Sequence, residues 1–132
     1  MNPSPIVLVI DDGPISPALV QRAVRDLEQK IRVVIADNID DAKTAFNEEQ
    51  PRIIVLNACL NGGRPNTKPF LEELRSSFHF GGTIMITSVM ENYQRRLSCF
   101  TERLQHKYLF PGQTISVDYD QLSAKLLHLL KG

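Results

Sequence analysis

Tryptophan is absent from this chain, cysteine occurs only twice, and neither sign of charge prevails. With 15 basic and 15 acidic side chains, no whole-molecule field draws in nucleic acid or an anionic membrane. Cys59 and Cys99 each sit in an apolar segment, in no metal-ligand spacing. Two buried reduced thiols are therefore expected rather than a disulfide framework. Long apolar runs are missing as well. The stretch MNPSPIVLVIDDG has no basic residues ahead of its short apolar run, which stops at two aspartates. That pattern fits neither a signal peptide nor a membrane span, so a cytoplasmic location is expected. No Walker loop, GxGxxG or Ser/His/Asp arrangement occurs, and His79, His106 and His128 lack paired ligand spacing.

Alternation is what the chain has in abundance. Ile6-Val7-Leu8-Val9-Ile10 is apolar on both faces, as a central parallel strand is. Ser16-Pro17 reads as a helix cap followed by Pro at the first helical position, and Val20, Ala23, Val24 and Leu27 follow on one helical face. Val33 to Ala36 reads as a second strand, with Ala42, Ala45 and Phe46 marking the helix after it. Ile53 to Leu56 reads as a third strand, entered through Pro51. The Gly- and Pro-rich loop from Asn61 to Pro69 leads to a helix carrying Leu71, Leu74 and Phe78. Gly81-Gly82 breaks that helix before a fourth strand, Thr83 to Thr87. Tyr93, Leu97, Phe100 and Leu104 form an amphipathic stripe flanked by Arg95, Arg96 and Arg103. A weak fifth strand is predicted over His106 to Phe110, ending at Pro111-Gly112. The last helix is predicted to be capped by Asp118 or Asp120 and carries Leu122, Leu126, Leu127, Leu129 and Leu130.

The order is (βα)5 with short connections, which predicts an α/β domain spanning positions 1–132. The sheet is expected to be parallel, five-stranded, doubly wound and flavodoxin-like, in strand order 2-1-3-4-5, because parallel strands are joined by right-handed crossovers. In such sheets sites form beyond the carboxyl ends of the strands, where the strand order reverses. Strand one ends in Asp11-Asp12, strand three in Asn57 and strand four in Thr87-Ser88. Polar groups closing three apolar runs would therefore converge.

The residues that carry this convergence resemble the receiver domains of two-component response regulators, of the chemotaxis-regulator type. IVLVIDDGP resembles the family's first strand with its acidic pair, Asp11 and Asp12. PRIIVLNACLNGG resembles its third strand and following loop, with Asn57 at the place of the phosphate-accepting Asp. GTIMITS resembles the fourth strand, with Thr87 as the switch hydroxyl, and Tyr108 to Pro111 resembles the aromatic switch position and the Lys-Pro after it. The resemblance implies phosphotransfer from a histidine kinase to an Asp. It also implies a divalent metal held by Asp11, Asp12 and the backbone carbonyl of Cys59, a Lys that pairs with the phosphoryl charge, and a Thr that closes on it.

Two of those parts are missing. Asn57 offers a neutral amide, which cannot form an ordinary acyl phosphate. The Lys position falls on Phe110 or Pro111, neither of which carries an ammonium group. The losses are coherent, since clustered carboxylates need a metal and a Lys to balance them, and removing one carboxylate lowers that need. The expectation is a degenerate pseudo-receiver that is not an enzyme, requires no cofactor and binds Mg²⁺ weakly. Its partner would be a histidine kinase, an output domain or another receiver, or a second copy of the chain. Contact is expected through the face of the fourth helix, fifth strand and fifth helix, an apolar patch rimmed by Arg and Lys, with no nucleic-acid or membrane partner. Two rivals remain open. One is a conventional phosphoacceptor receiver carrying an inactivating substitution; the other is a flavodoxin-like small-ligand-binding protein. Against the latter, the acidic Asp11-Asp12-Gly13-Pro14 loop would repel a phosphate-bearing cofactor.

Overall fold

Strand β1 (Ile6–Ile10) is buried along nearly its whole length, because it has a parallel neighbour on each side. The computed structural model describes residues 4–57, 70, 82–87, 114–117 and 119–131. Within them the chain runs from β1 through helix α1 (Ile15–Arg25), β2 (Arg32–Ala36), α2 (Ile39–Glu49) and β3 (Ile53–Asn57). It continues with β4 (Thr83–Thr87), β5 (Thr114–Ser116) and the last described helix, α3 (Tyr119–Lys131). All pairings are parallel, and the sheet order is β2-β1-β3-β4-β5. The switch in strand order falls between β1 and β3, as the sequence pattern predicts.

Strict alternation of side chains assigns each strand residue to a face. Leu8, Ile10, Ile54, Leu56, Ile84 and Ile86 pack with Ala42 and Phe46 of α2 and with Phe70. Phe46 and Phe70 meet edge to face, with ring centroids 6.3 Å apart. Val7, Val9, Ile53, Val55 and Met85 pack on the opposite face under Val20 of α1 and Leu122, Leu126 and Leu130 of α3. Those three leucines recur one helical turn apart, and burying each contributes roughly 1.5–3 kcal/mol relative to exposure.

Helix α2 begins at Asn38, whose side chain accepts from the Asp41 N–H at 2.8 Å, and Asp40 and Asp41 complement the positive end of the helix. It ends at Gln50 in the left-handed region (φ 51°), from which the chain turns through Pro51 into β3.

Three sequence expectations need correction. The strand beside β4 is Thr114–Ser116, not His106 to Phe110. Pro111-Gly112, read as the stop of that strand, instead precedes it. The polar–apolar alternation of Thr114-Ile115-Ser116-Val117 is the pattern of a strand covered on one face, and Ile115 and Val117 pack beneath α1 and α3. Helix α1 starts earlier than its Ser16-Pro17 signal: Pro14 stands at the cap with no side-chain hydrogen bond, and Ser16 lies inside the first turn. A first-turn Pro17 is tolerated there because its missing N–H would have had no helical partner. Asp120 does not cap α3 but lies in its first turn. Asp118, the loop from Asn61 to Pro69, the helix carrying Leu71, Leu74 and Phe78, the stripe from Tyr93 to Leu104, Arg95, Arg96, Arg103 and both cysteines lie outside the described residues.

Candidate functional site

The register brings the strand ends together. Ile10 pairs with Leu56 and Asn57 pairs with Thr87, while the Asp11 N–H extends the ladder past β1 by donating to the Ala36 carbonyl at 3.0 Å. Asp11, Asn57 and Thr87 thus stand side by side on neighbouring strands, about 4.8 Å apart in the sheet direction. By alternation they share the face of Val9, Val55 and Met85, so they form the last layer beneath α1 and α3. All three are buried: Asp11 is 4%, Asn57 1% and Thr87 0% exposed. Asp12 is exposed.

The polar atoms in this layer are partly satisfied by one another. The Asn57 Nδ2 amide donates to Asp11 Oδ1 at 3.1 Å, and the Gly13 N–H donates to the same oxygen at 2.9 Å, closing a tight turn. The Thr87 hydroxyl points at the Leu56 carbonyl across 3.5 Å, a long contact. Asp11 Oδ2 is buried and makes no hydrogen bond among the described residues. An ionised carboxylate oxygen left alone in the interior is costly, and a hard cation or ordered water is the partner that such an oxygen accepts.

Two residues that the sequence reading did not place at the site lie near this layer. Ser16, in the first turn of α1, is fully buried, and its Oγ has no hydrogen-bond partner among the described residues. Tyr119, the first residue of α3, is half-buried against the same core. Burial raises the Tyr119 phenol above its ordinary value of 10.0; the Ser16 hydroxyl beside it opposes this, and the Asp11 and Asp12 carboxylates add to it. The available signal was positional. Tyr119 comes three residues after the last strand once that strand is placed at Thr114–Ser116, so the sequence reading, which put the strand at His106 to Phe110, could not see it.

One residue past β5, the Val117 N–H donates to the Ile86 carbonyl at 3.0 Å, which sets Val117 beside Thr87. Val117 is apolar and 2% exposed. Of the predicted site residues, Asp11, Asn57 and Thr87 come together, and Asp12 adjoins them in the loop. Cys59, Tyr108, Phe110 and Pro111 lie outside the described residues. Among the described residues no group of three or more His, Cys, Asp or Glu side chains is placed to hold a metal, and no helix is long and apolar enough to cross a membrane.

A parallel sheet in this order, with a polar layer at the β1–β3 switch, is the fold of response regulator receiver domains, and the solved structures similar to this one are of that kind. A response regulator receiver protein from Pseudoalteromonas atlantica superimposes with a TM-score of 0.70 at 10% identity, covering 97% of this chain and 98% of its own. A response regulator from Thermotoga maritima gives 0.69 at 15% identity, covering 98% and 100%. The Mn(2+)-bound form of response regulator Rcp1 gives 0.63 at 13% identity, covering 94% and 90%. At these identities the likeness is one of fold. No protein-family model matches the sequence, and no curated protein is significantly similar to it.

Proposed function

We propose that this chain is a pseudo-receiver: a (βα)5 signalling module that works by contact and forms no aspartyl phosphate. The buried hydrogen bond from Asn57 Nδ2 to Asp11 Oδ1 carries this reading. Where phosphotransfer needs a carboxylate nucleophile balanced by a metal and a Lys, this layer has an amide that donates to its neighbour. A repulsion that would require outside charge is replaced by an internal attraction. Val117, beside Thr87 and buried, takes the place at the end of the last strand where a receiver's Lys would reach the phosphoryl group. On this reading Val117, rather than Phe110 or Pro111, stands at the Lys position. Thr87 spends its hydroxyl on the Leu56 carbonyl, a use that needs no phosphate.

The acidic pocket still suits a divalent cation. Asp11 Oδ2 is a buried hard oxygen with no hydrogen-bond partner among the described residues, Asp12 adjoins it, and the Cys59 carbonyl is the third donor that the receiver resemblance implies. With one carboxylate fewer than a working receiver, Mg²⁺ or Mn²⁺ affinity is low. A bound cation would neutralise the pocket without supplying a phosphorylation step. The module is cytoplasmic and not an enzyme. Its partner is a histidine kinase, an output domain or another receiver, or a second copy of the chain, met through the face that ends in α3.

Incubation with acetyl phosphate and Mg²⁺, followed by intact mass, tests the proposal. No added phosphoryl mass on the wild-type chain is expected. An acid-labile phosphoryl group that persists after replacement of the serines and threonines would overturn it.

A further inference from the structure

The sheet ends on β5 at one edge and on β2 at the other. The β2 edge carries none of the devices that blunt an open strand. Arg32–Ala36 contains no proline, and its pairing with β1 runs without a bulge. Its one charged side chain, Arg32, is drawn back onto the end of α2, donating to the Glu49 carboxylate at 2.6 and 3.1 Å. Ile35 is 45% exposed, although alternation puts it on the face of Val33, which packs into the core beneath α1 and α3. Two hydrogen bonds fix where the backbone groups of this strand point. The Arg32 N–H donates to the Pro5 carbonyl and the Ala36 carbonyl accepts from the Asp11 N–H, each at 3.0 Å. A strand residue sends its N–H and C=O to one side, and that side alternates along the chain. Arg32, Val34 and Ala36 therefore bond toward β1, while Val33 and Ile35 aim both groups outward. No strand among the described residues pairs with that outer edge.

We propose that the β2 edge joins a second copy of this chain, β2 against β2 in antiparallel order, about a two-fold axis at Val34. A second copy is the occupant that fits, because the edge is complementary to itself. With Val34 on the axis, each Val33 lies opposite Ile35 of the other copy. Both residues aim their N–H and C=O outward, so each Val33–Ile35 pair exchanges both bonds of an antiparallel ladder. The exposed Ile35 is then covered by an apolar side chain on its own face. Charge sets the direction. The nearest charged residues beyond the two ends of the strand are Lys30 and Asp37, both exposed, and neither forms an ion pair among the described residues. Antiparallel order brings each Lys30 toward Asp37 of the other copy, whereas parallel order would bring like toward like. The interface stands apart from the acidic pocket and leaves the α3 face free for a signalling partner. Five residues a side is far fewer than the roughly 20–30 of a standard interface, so the dimer is weak and concentration-dependent.

Sedimentation velocity and amide hydrogen exchange of the full chain at rising concentration test this. Wild type is expected to pass from monomer to dimer, with the Val33 and Ile35 amides gaining protection in step. The Val34 and Ala36 amides, bonded toward β1, should be protected at every concentration. Ile35→Lys places two ammonium groups diagonally across the axis and should weaken the dimer about tenfold or more. Should that variant lose its fold, Ile35→Thr keeps the β-branched shape and should still weaken the dimer about threefold or more. Ala124→Lys, on the exposed side of α3, should leave dimerisation within about twofold of wild type. A chain that stays monomeric up to about millimolar concentration overturns the proposal. So does a folded Ile35 variant that dimerises as wild type does. A dimer with unprotected Val33 and Ile35 amides, or one that Ala124→Lys dissociates, places the second copy elsewhere and overturns it too. Protection of those amides in a monomer overturns it as well, because another part of the chain then covers the edge.

Discussion

The two faces of the sheet are built from the same strands and end differently. Toward α2, the three central strands are apolar up to the carboxyl edge, closing with Ile10, Leu56 and Ile86. Toward α1 and α3, the same strands close with Asp11, Asn57 and Thr87. One face is core to its limit; the other gives up its last layer to polar groups that are only partly satisfied. Burial of an unpaired carboxylate oxygen works against stability. Both faces are packed apolar cores, and the α1/α3 face differs in that its last layer has been exchanged for a site at a cost in stability.

The largest way to break this comparison is to damage the apolar face. Leu56→Ala should destabilise the protein by about 2–5 kcal/mol, from lost burial plus the cavity left behind. Denaturant unfolding would measure it, and a smaller loss than for any change in the polar layer would reverse the assignment of roles.

A smaller effect is expected in the polar layer. Asn57→Asp replaces the amide donor with a second carboxylate against Asp11, and should cost about 1–3 kcal/mol at neutral pH. The repulsion raises the carboxyl pKa in the folded state above its unfolded value. The unfolded chain then binds fewer protons than the native one, so stability falls as pH rises through that range. At about pH 2, well below the ordinary Asp value of about 3.9, both carboxyls are protonated in either state, and the penalty should vanish. Mg²⁺ should restore stability to this variant at neutral pH far more than to wild type, because the added carboxylate gives the ion a stronger site. Thermal unfolding with and without Mg²⁺ at two pH values would read both effects.

The smallest change lies away from both faces' strand ends. Gln50 occupies the left-handed region at the end of α2, where glycine has no Cβ to strain. Gln50→Gly should stabilise by about 0.5–1 kcal/mol. No gain in the denaturation midpoint would mean that the Gln50 side chain compensates for its backbone.

Much of the comparison is legible in the sequence. Apolar runs at Ile6 to Ile10, Ile53 to Leu56 and Thr83 to Thr87 are read directly, and so are the polar residues that close them. Helix α1 is recognisable from Val20, Ala23 and Val24, although it ends before Leu27 and its start is misread because Ser16 carries a capping signal and instead lies buried inside the first turn. The fifth strand is misplaced for a related reason. The segment from His106 to Phe110 has strand-forming residues followed by Pro-Gly, so local pattern favours it; pairing with β4 selects Thr114–Ser116 instead. On the proposed reading, the receiver-type Lys position moves with that strand, from Phe110 or Pro111 to Val117.

The sequence alone therefore determined the alternation of strands and helices, the parallel α/β class and the amide at Asn57, because periodicity and residue chemistry are local properties of the chain. Tertiary structure decided which segment completes the sheet, that Asn57 donates to Asp11, and that Ser16 is fully buried in the first turn of α1. Those facts depend on register between segments far apart in the chain. Register is chosen by the burial of whole faces, not by the propensity of any one stretch.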